Sequence, residues 1–449
     1  MAEQMKESGI QWIGAIPYNW NVERIKHIIQ NNDNGIKVGP FGSALTNEVV
    51  SSDEGKYKVY GQSNLIRKDF SYGDNYVSEQ NYKRLINYEV LPNDIAVSMM
   101  GTIGKCSVVP GNIEPGIMDS HLIKIRLSQK MLPRYFEYAY ESDMGYSQLL
   151  INSKGSIMNG LNSTIVKGLY IPVPEIIEQQ AIVDFLDKEC AQIDSIAADL
   201  EKQIALLQQY KKSLITETLT KGLDKSAPMK DSEVEWIGKI PEHWELKHLK
   251  YLAKSILDGA HLTPTYTDDG IPFLRVTDIT SVDGIDAEIN LDTVARISKE
   301  EHRILCQRCH PQKGDVLVSK NGTIGVPKII DWDWEFSIFV SLCLIKLNDS
   351  LLNKWLFYYF KSTLVATEIA FAGKTNTITN LHLEKIANFK IPLPSVEEQK
   401  LIATYLDEKV CKIDALIKEK QSQLETLRQH KKSLIYEYVT GKKRVKEVR

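Results

Sequence analysis

The stretch "IQWIGAIPYNW" (Ile10–Trp20) returns 224 positions later as "VEWIGKIPEHW" (Val234–Trp244). Trp12, Ile16, Pro17 and Trp20 answer Trp236, Ile240, Pro241 and Trp244. Three further segments repeat in the same order. "NDIAVSMMGTIG" from Asn93 matches "GDVLVSKNGTIG" from Gly314. "IPVPEIIEQQAIVDFLDKECAQIDSI" from Ile171 matches "IPLPSVEEQKLIATYLDEKVCKIDAL" from Ile391. "QQYKKSLITETLT" from Gln208 matches "RQHKKSLIYEYVT" from Arg428. Offsets that drift only between 224 and 220 mean that the intervening lengths match. Solenoid repeats recur every ~20–50 residues, so this is something else: two copies of one domain-plus-tail unit. Shared framework with divergent filling suggests one scaffold presenting two different surfaces.

The tails read as long helices. Leu186, Cys190, Ile193, Ala197, Leu200, Ile204, Leu207 and Leu214 alternate four- and three-residue steps, with Lys211 in one slot. Leu406, Val410, Ile413, Ile417, Leu424, Leu427 and Leu434 do the same, with Lys420 and Lys431 in the gaps. That spacing is the a/d seam of a coiled coil. Pro172 and Pro174 keep the preceding chain extended, and Glu175 and Glu178 suit a helix N-terminus. Ser395 with Glu398 forms a capping-box pattern. Neither tract meets a Pro or Gly before Gly222 and Gly441, which allows helices of ~45 residues, about 65–70 Å long. Pairing with each other in antiparallel fashion hides both stripes. The alternative is two separate amphipathic helices, each packed on its own domain.

The chain of 449 residues, 43% hydrophobic, suits two to four domains. No run of eighteen apolar residues marks a membrane span, and the opening "MAEQMKESGI" lacks a basic-then-apolar signal segment. Six cysteines in such a chain point to reduced thiols and a cytoplasmic setting. A net charge of −3 argues mildly against nucleic acid, without excluding a local basic face.

Catalytic motifs fail on inspection. "GTIGK" (Gly101–Lys105) has Met99 and Cys106 where a phosphate loop needs Gly and Ser or Thr, and "FAGKT" (Phe371–Thr375) has Glu368 in the first glycine slot. "CQRCH" (Cys306–His310) fits haem attachment only in an oxidising, exported setting, and has no second ligand pair for zinc. The plain reading is two buried or reduced cysteines and no metal. No Pro-Pro dipeptide exists, which removes the loop that holds the target base in amino-group DNA methyltransferases.

Polar loops recur at matching positions in the two copies. The first copy has Lys37 leading into "GPFGSAL" with Ser43, then "YGQSNLIRKDF" with Gln62, Ser63, Asn64, Arg67 and Lys68, then "NSKGSIMNGLN" with Lys154, Ser156 and Asn159. The second copy has "DGAHLTPTYTDDGIPFLRVTDIT", carrying His261, Thr263, Thr265, Tyr266, Arg275 and Thr277. "VSKNGTIG" then adds Lys320 and Asn321, and "FAGKTNTITN" adds Lys374, Thr375 and Asn376. Such residues can read base edges while lysine and arginine hold phosphates. Singly, each loop could be an ordinary turn.

The order IP-x-x-W, D-G-x-H-x-T-P (here "DGAHLTP", Asp258–Pro264), G-D-V-L-V-S…GTIG and IP-x-P…EQ, stated twice with long tails, resembles the specificity subunit of Type I restriction–modification systems. The resemblance covers nearly the whole chain. It implies a mixed α/β fold with two target-recognition domains, at 21–170 and 225–390. An N-terminal framework segment occupies 1–20, and two conserved helices at 171–224 and 391–449 pair as an antiparallel coiled coil about a pseudo-two-fold. Each domain is then expected to read one half of a bipartite double-stranded DNA site, with the helices setting the spacer. The chain itself would be non-catalytic and hold no cofactor. Two modification subunits, carrying S-adenosylmethionine and methylating adenine, would bind it, and restriction subunits could join. The first copy departs from the pattern, with "GPFGSAL" standing where the second has "DGAHLTP". Two other readings compete: a coiled-coil structural adaptor, and a stand-alone DNA-modifying enzyme.

Overall fold

The computed structural model describes residues 4–30, 35–40, 44–45, 50, 55–153, 161–281, 288–372 and 380–445. They form two compact units, one of residues 1–200 with 422–449, the other of residues 201–421.

In the first unit the opening phrase begins a hairpin. Strand Met5–Glu7 pairs antiparallel with Ala15–Pro17, and Trp20 follows, fully buried. Strand Asn21–Arg24 pairs with Tyr170–Val173 and closes the base of the domain. Between them lie two four-stranded sheets. The framework sheet runs Ile36–Val38, Leu122–Ile125, Ile95–Ser98, Cys106–Val108, all antiparallel. The second sheet runs Tyr76–Val77, Tyr57–Tyr60, Gly116–Met118, Glu89–Val90, with the middle pair parallel. The continuous apolar run Ile95–Val97, with its β-branched residues, gives the central framework strand Ile95–Ser98, every residue of which is buried.

The second unit repeats the framework sheet strand for strand: Ala253–Asp258, Leu342–Leu347, Val316–Ser319, Pro327–Ile329. Its other sheet keeps the parallel pair, Ile271–Leu274 with Ser337–Ile338, but differs at the edges. Arg296–Ile297 flanks that pair as Tyr76–Val77 does in the first unit, and strand Tyr266–Thr267 adds outside it, where the first unit's order has no counterpart. Divergence is therefore concentrated in edge strands and loops, where a side-chain change disturbs the fewest ladder partners.

The helices run Ile176–Lys221 and Val396–Val439. Each unit contains part of both. In the first unit Leu186, Cys190 and Ile193 of the first helix share a core with Leu434 and Val439 of the second. Phe185 lies 4.4 Å from the Tyr438 ring, and Lys431 donates to Asp194 at 2.6 Å. In the second unit Ile215 and Leu219 of the first helix share a core with Ile402 and Leu406 of the second. Lys211 donates to Asp414 and Lys420 to Gln203, both at 2.6 Å. Within each unit the contacts run in opposite order along the two helices. The seam lysines, read from sequence as interruptions, each find an acceptor on the other helix. Lys431–Asp194 and Lys211–Asp414 are the same pair 220 positions apart.

The repeated tryptophan has one task in both copies. Trp20 Nε1 donates to Glu178 Oε2 at 2.9 Å, in the first turn of the first helix, and its ring lies against Gly441, just past the end of the second. Trp244 Nε1 donates to Glu398 Oε2 at 3.0 Å, in the first turn of the second helix, and its ring lies against Gly222, just past the end of the first. Both glycines are left-handed (φ 71° at Gly222, 70° at Gly441), as a helix C-cap requires. A Cβ on Gly441 would come within 2.4 Å of Pro17 Cδ. The expected capping box is only half formed: Glu398 N donates to Ser395 Oγ at 3.3 Å, but the Glu398 carboxylate turns to Trp244.

Gln179 and Gln399 complete the base. Gln179 accepts from Leu132 N and donates to the Lys130 and Pro174 carbonyls. Gln399 accepts from Leu352 N and donates to the Ser350 and Pro394 carbonyls. These two glutamines of the repeated "EQ" are buried with every amide contact conserved between copies.

Candidate nucleic-acid interface

In both units the central framework strand runs into the repeated GTIG turn. Gly101 and Gly104 (φ 70° and 89°), like Gly322 and Gly325 (φ 67° and 79°), take the left-handed conformation that reverses the chain. Several sequence-nominated loops gather at this end of the sheet.

In the first unit Gln62 reaches the turn, its Nε2 donating to Ser98 Oγ at 2.7 Å and to the Met100 carbonyl at 2.6 Å. Thr102 Oγ1 lies 2.9 Å from the same Ser98 hydroxyl. Ser63 and Arg67 are exposed on the short helix Gln62–Arg67, and the Arg67 guanidinium lies 4.2 Å from the centre of the Tyr72 ring. Lys37 sits half-buried within the framework strand, near Tyr88, rather than in a loop. Ser43, Lys154, Ser156 and Asn159 lie outside the described residues. Leu161 N donates to the Met99 carbonyl at 2.9 Å.

Two nominated residues have partners within the protein, Asn64 buried and Lys68 at the surface. Asn64 is buried, accepts from Gly61 N and donates to the Asp69 and Tyr72 carbonyls. Lys68 pairs with Glu137 and, at 3.5 Å, with Glu141. Burial works against the Lys68 charge, but Glu141 and Glu137 outweigh it and hold its pKa above the ordinary lysine value.

Sequence reading missed Asp119, Ser120 and His121 at the same end. His121 N donates to Asp119 Oδ1 at 2.8 Å, and His121 Nδ1 lies 3.4 Å from Asp119 Oδ2. Burial raises the Asp119 pKa. Its carboxylate fills the space beside Gly61, 2.8 Å from where a Cβ would stand. The signal was "DSH" between two strands. It is not repeated, since the second copy has Phe339, Val340 and Ser341 there, so a search guided by repetition passes over it.

In the second unit the turn is joined by a charge cluster. Asp258, 6% exposed at the end of its strand, is met by Arg308 Nη2 at 2.5 Å, His261 Nε2 at 3.2 Å and Lys320 Nζ at 3.3 Å. Burial would raise the Asp258 pKa, but His261 and Lys320 outweigh it and hold the carboxyl below its ordinary value. Lys320 is 5% exposed. Its ammonium lies against an interior carboxylate. Arg275 and Thr277 stand close by, since Val276 N donates to Ser341 Oγ at 3.3 Å and Lys320 N to the Ser341 carbonyl at 2.8 Å. Asn321 bridges to Asn380. Thr263 and Thr265 are exposed on the loop after His261, and Tyr266 is exposed at the start of the edge strand that follows. Lys374, Thr375 and Asn376 lie outside the described residues.

All six cysteines are free. Cys306 Sγ lies 3.6 Å from both His302 ring nitrogens, and burial pushes the Cys309 thiol up to about 12. Among the described residues no three His, Cys, Asp or Glu side chains gather as a metal site, and no helix is long and apolar enough to cross a membrane.

The family model for the Type I restriction modification DNA specificity domain matches residues 39–206 and again 241–426. The EcoBI type I restriction enzyme specificity subunit of Escherichia coli is 27% identical over 345 residues, covering 74% of this chain and 70% of the relative. The MjaVIII specificity subunit of Methanocaldococcus jannaschii is 26% identical over 341 residues, covering 74% and 76%. Among solved structures, a chain from a type I R-M system shares the fold with a TM-score of 0.67 at 18% identity, over 94% of this chain and 98% of that one. The HsdS subunit of Thermoanaerobacter tengcongensis gives a TM-score of 0.50 at 16% identity, over 95% and 98%. Two tandem matches to one family model, set on two copies of one framework, show that the protein belongs to the Type I restriction–modification DNA specificity family.

Proposed function

We propose that this chain is the sequence-reading subunit of a Type I restriction–modification complex, and that each unit recognises one half of a bipartite duplex site. Specificity subunits are non-catalytic. Methyl transfer to adenine, with S-adenosylmethionine, then belongs to modification subunits docked on this chain in the cytoplasm, and cleavage to restriction subunits where they join. One observation carries the reading. The two copies keep their framework contacts residue for residue, Trp20 with Trp244 and Gln179 with Gln399, while the loop ends carry different chemistry. Asp119–His121 occupies one and Asp258–Arg308 the other. A scaffold that duplicates its frame and varies its tips suits two independent readings of DNA.

Exchange of residues 21–165 for a relative's equivalent is the test. Sequencing of methylated sites in cells carrying the chimera should show one half-site replaced, the other half-site intact, and the spacer unchanged because both helices are retained. Altered sequence in both half-sites would end the two-reader reading. An altered spacer would remove the helices as the ruler.

For docking we assign the outer faces of the helices, taken as an antiparallel coiled coil. Ile196 and Leu416 are 52% and 46% exposed and stand 220 positions apart, the same site in the two copies. Ile196→Asp combined with Leu416→Asp should leave the circular dichroism and melting of the chain unchanged while modification subunits no longer co-purify. Retention of the modification subunits would move docking onto the globular domains.

A further inference from the structure

The cluster around Asp258 does not match a purely structural ion pair. One enclosed carboxylate faces three side chains that carry or can carry positive charge. Lys320 alone, itself enclosed, would neutralise it. Arg308 and His261 are instead 59% and 55% exposed, and the two touch, with Arg308 Nη2 3.4 Å from His261 Nε2. Arg308 comes from a segment remote in sequence, after the helix Lys299–Cys306, and arrives at the loop end of the framework strands. Its neighbour Cys309 is buried and fixes the chain there.

We propose that Arg308 reads the major-groove edge of a guanine in the half-site bound by the second unit, and that Asp258 is the positioning residue that sets its guanidinium. The proposal rests on the DNA-reading function above. A phosphate contact needs only a positive charge on a flexible stem and carries no sequence information. Guanine O6 and N7 need two donors in a fixed plane, which a guanidinium supplies bidentately. Asp258 holds Nη2 from the protein side, so the plane is set before DNA arrives. The ordering entropy is then already met in the free protein. Lys320 keeps the carboxylate charged but neutralised, so that it orients Arg308 without repelling phosphates. Nη2 carries two hydrogens: Asp258 takes one, and the other, which only the longer 3.4 Å contact to His261 engages, forms with an adjacent guanidinium N–H the pair of parallel donors that a guanine edge needs.

The device belongs to one half of the molecule. Gly39 and Gly259 mark the same place in the two copies, each packed against backbone where a Cβ cannot fit. The residues before them are Val38 and Asp258, and Met99 stands where Lys320 does in the second copy. Removing the cluster should therefore touch one half-site only.

The test uses the chain assembled with its modification subunit, selecting from a pool of random duplexes. The wild-type complex should return a bipartite motif. Arg308→Ala should lower the preference for guanine at one position of the second half-site by about ten- to a hundredfold, with the first half-site unchanged. Arg308→Lys should fail to restore it, because a point charge does not replace the fork. Asp258→Asn should broaden that same position. A general stabilising role for Asp258 would weaken every position alike. Uniform weakening by Arg308→Ala, with the salt slope reduced by about one, would make Arg308 a phosphate contact and overturn the proposal. An unchanged motif would overturn it as well. A wild-type complex without a bipartite motif would sink the DNA-reading function itself, and this inference with it.

Discussion

Trp20→Ala is expected to destabilise the first unit by about 3–5 kcal/mol, the cost of emptying a fully enclosed indole site. The ring joins three segments that are distant in sequence: the opening hairpin, the first turn of the first helix through Glu178, and the C-cap of the second through Gly441. Trp20→Phe separates the two contributions. It keeps most of the packing and removes the indole donor to Glu178, which still holds Arg444 at 2.5 Å, so a loss of about 1–2 kcal/mol is expected. Urea unfolding followed by circular dichroism gives both values from the shift in midpoint at constant slope. A loss under about 1 kcal/mol for the alanine variant would mean that the ring fills space without tying the segments together.

The second large effect falls on the aspartate of the repeated x-D-x-x-V-S segment. Asp94 is 1% exposed, accepts from Leu91 N at 2.9 Å and takes Arg126 in a two-pronged pair, Nε at 2.7 Å and Nη2 at 2.9 Å. Asp94→Ala leaves a half-enclosed guanidinium and a backbone N–H without their acceptor, at an expected loss of about 3–5 kcal/mol. Asp315 performs the same task with Gln312 N and Lys346. Asp94→Ala combined with Arg126→Met removes both charges together. It should recover part of the loss, since an apolar replacement of an enclosed pair is often neutral. A double variant no better than the single one would place the loss in the Leu91 hydrogen bond.

Repetition made the frame legible. Whatever both copies need for folding appears twice: the tryptophans, the EQ glutamines, the aspartates and the glycines of GTIG. Even a mismatch is informative. Asn93 and Gly314 differ as residues yet share a left-handed backbone (φ 68° and 92°), because asparagine is the side chain that best tolerates what glycine adopts freely. The candidate site was less legible for the same reason. Asp119, His121 and Arg308 occur in one copy each, and proximity between Asp258 and Arg308, 50 positions apart, leaves no mark on either segment. At Asn64, Lys68 and Lys320 composition gave no sign of the partners these side chains have within the protein. A polar residue in a glycine-rich loop looks available to a ligand, but a loop must also satisfy its own backbone and any enclosed charge.

The two units are strung differently along the chain. The second is one continuous run, residues 201–421, while the first is residues 1–200 together with 422–449. Because a ribosome delivers the chain from its N-terminus, every residue of the second unit is available while the first still lacks Leu434, Val439, Gly441 and the Arg444 partner of Glu178. The earliest-made unit is thus the last that can be completed. A translation error or proteolytic nick near the end of the chain therefore damages the unit encoded at its beginning, and spares the one encoded nearby.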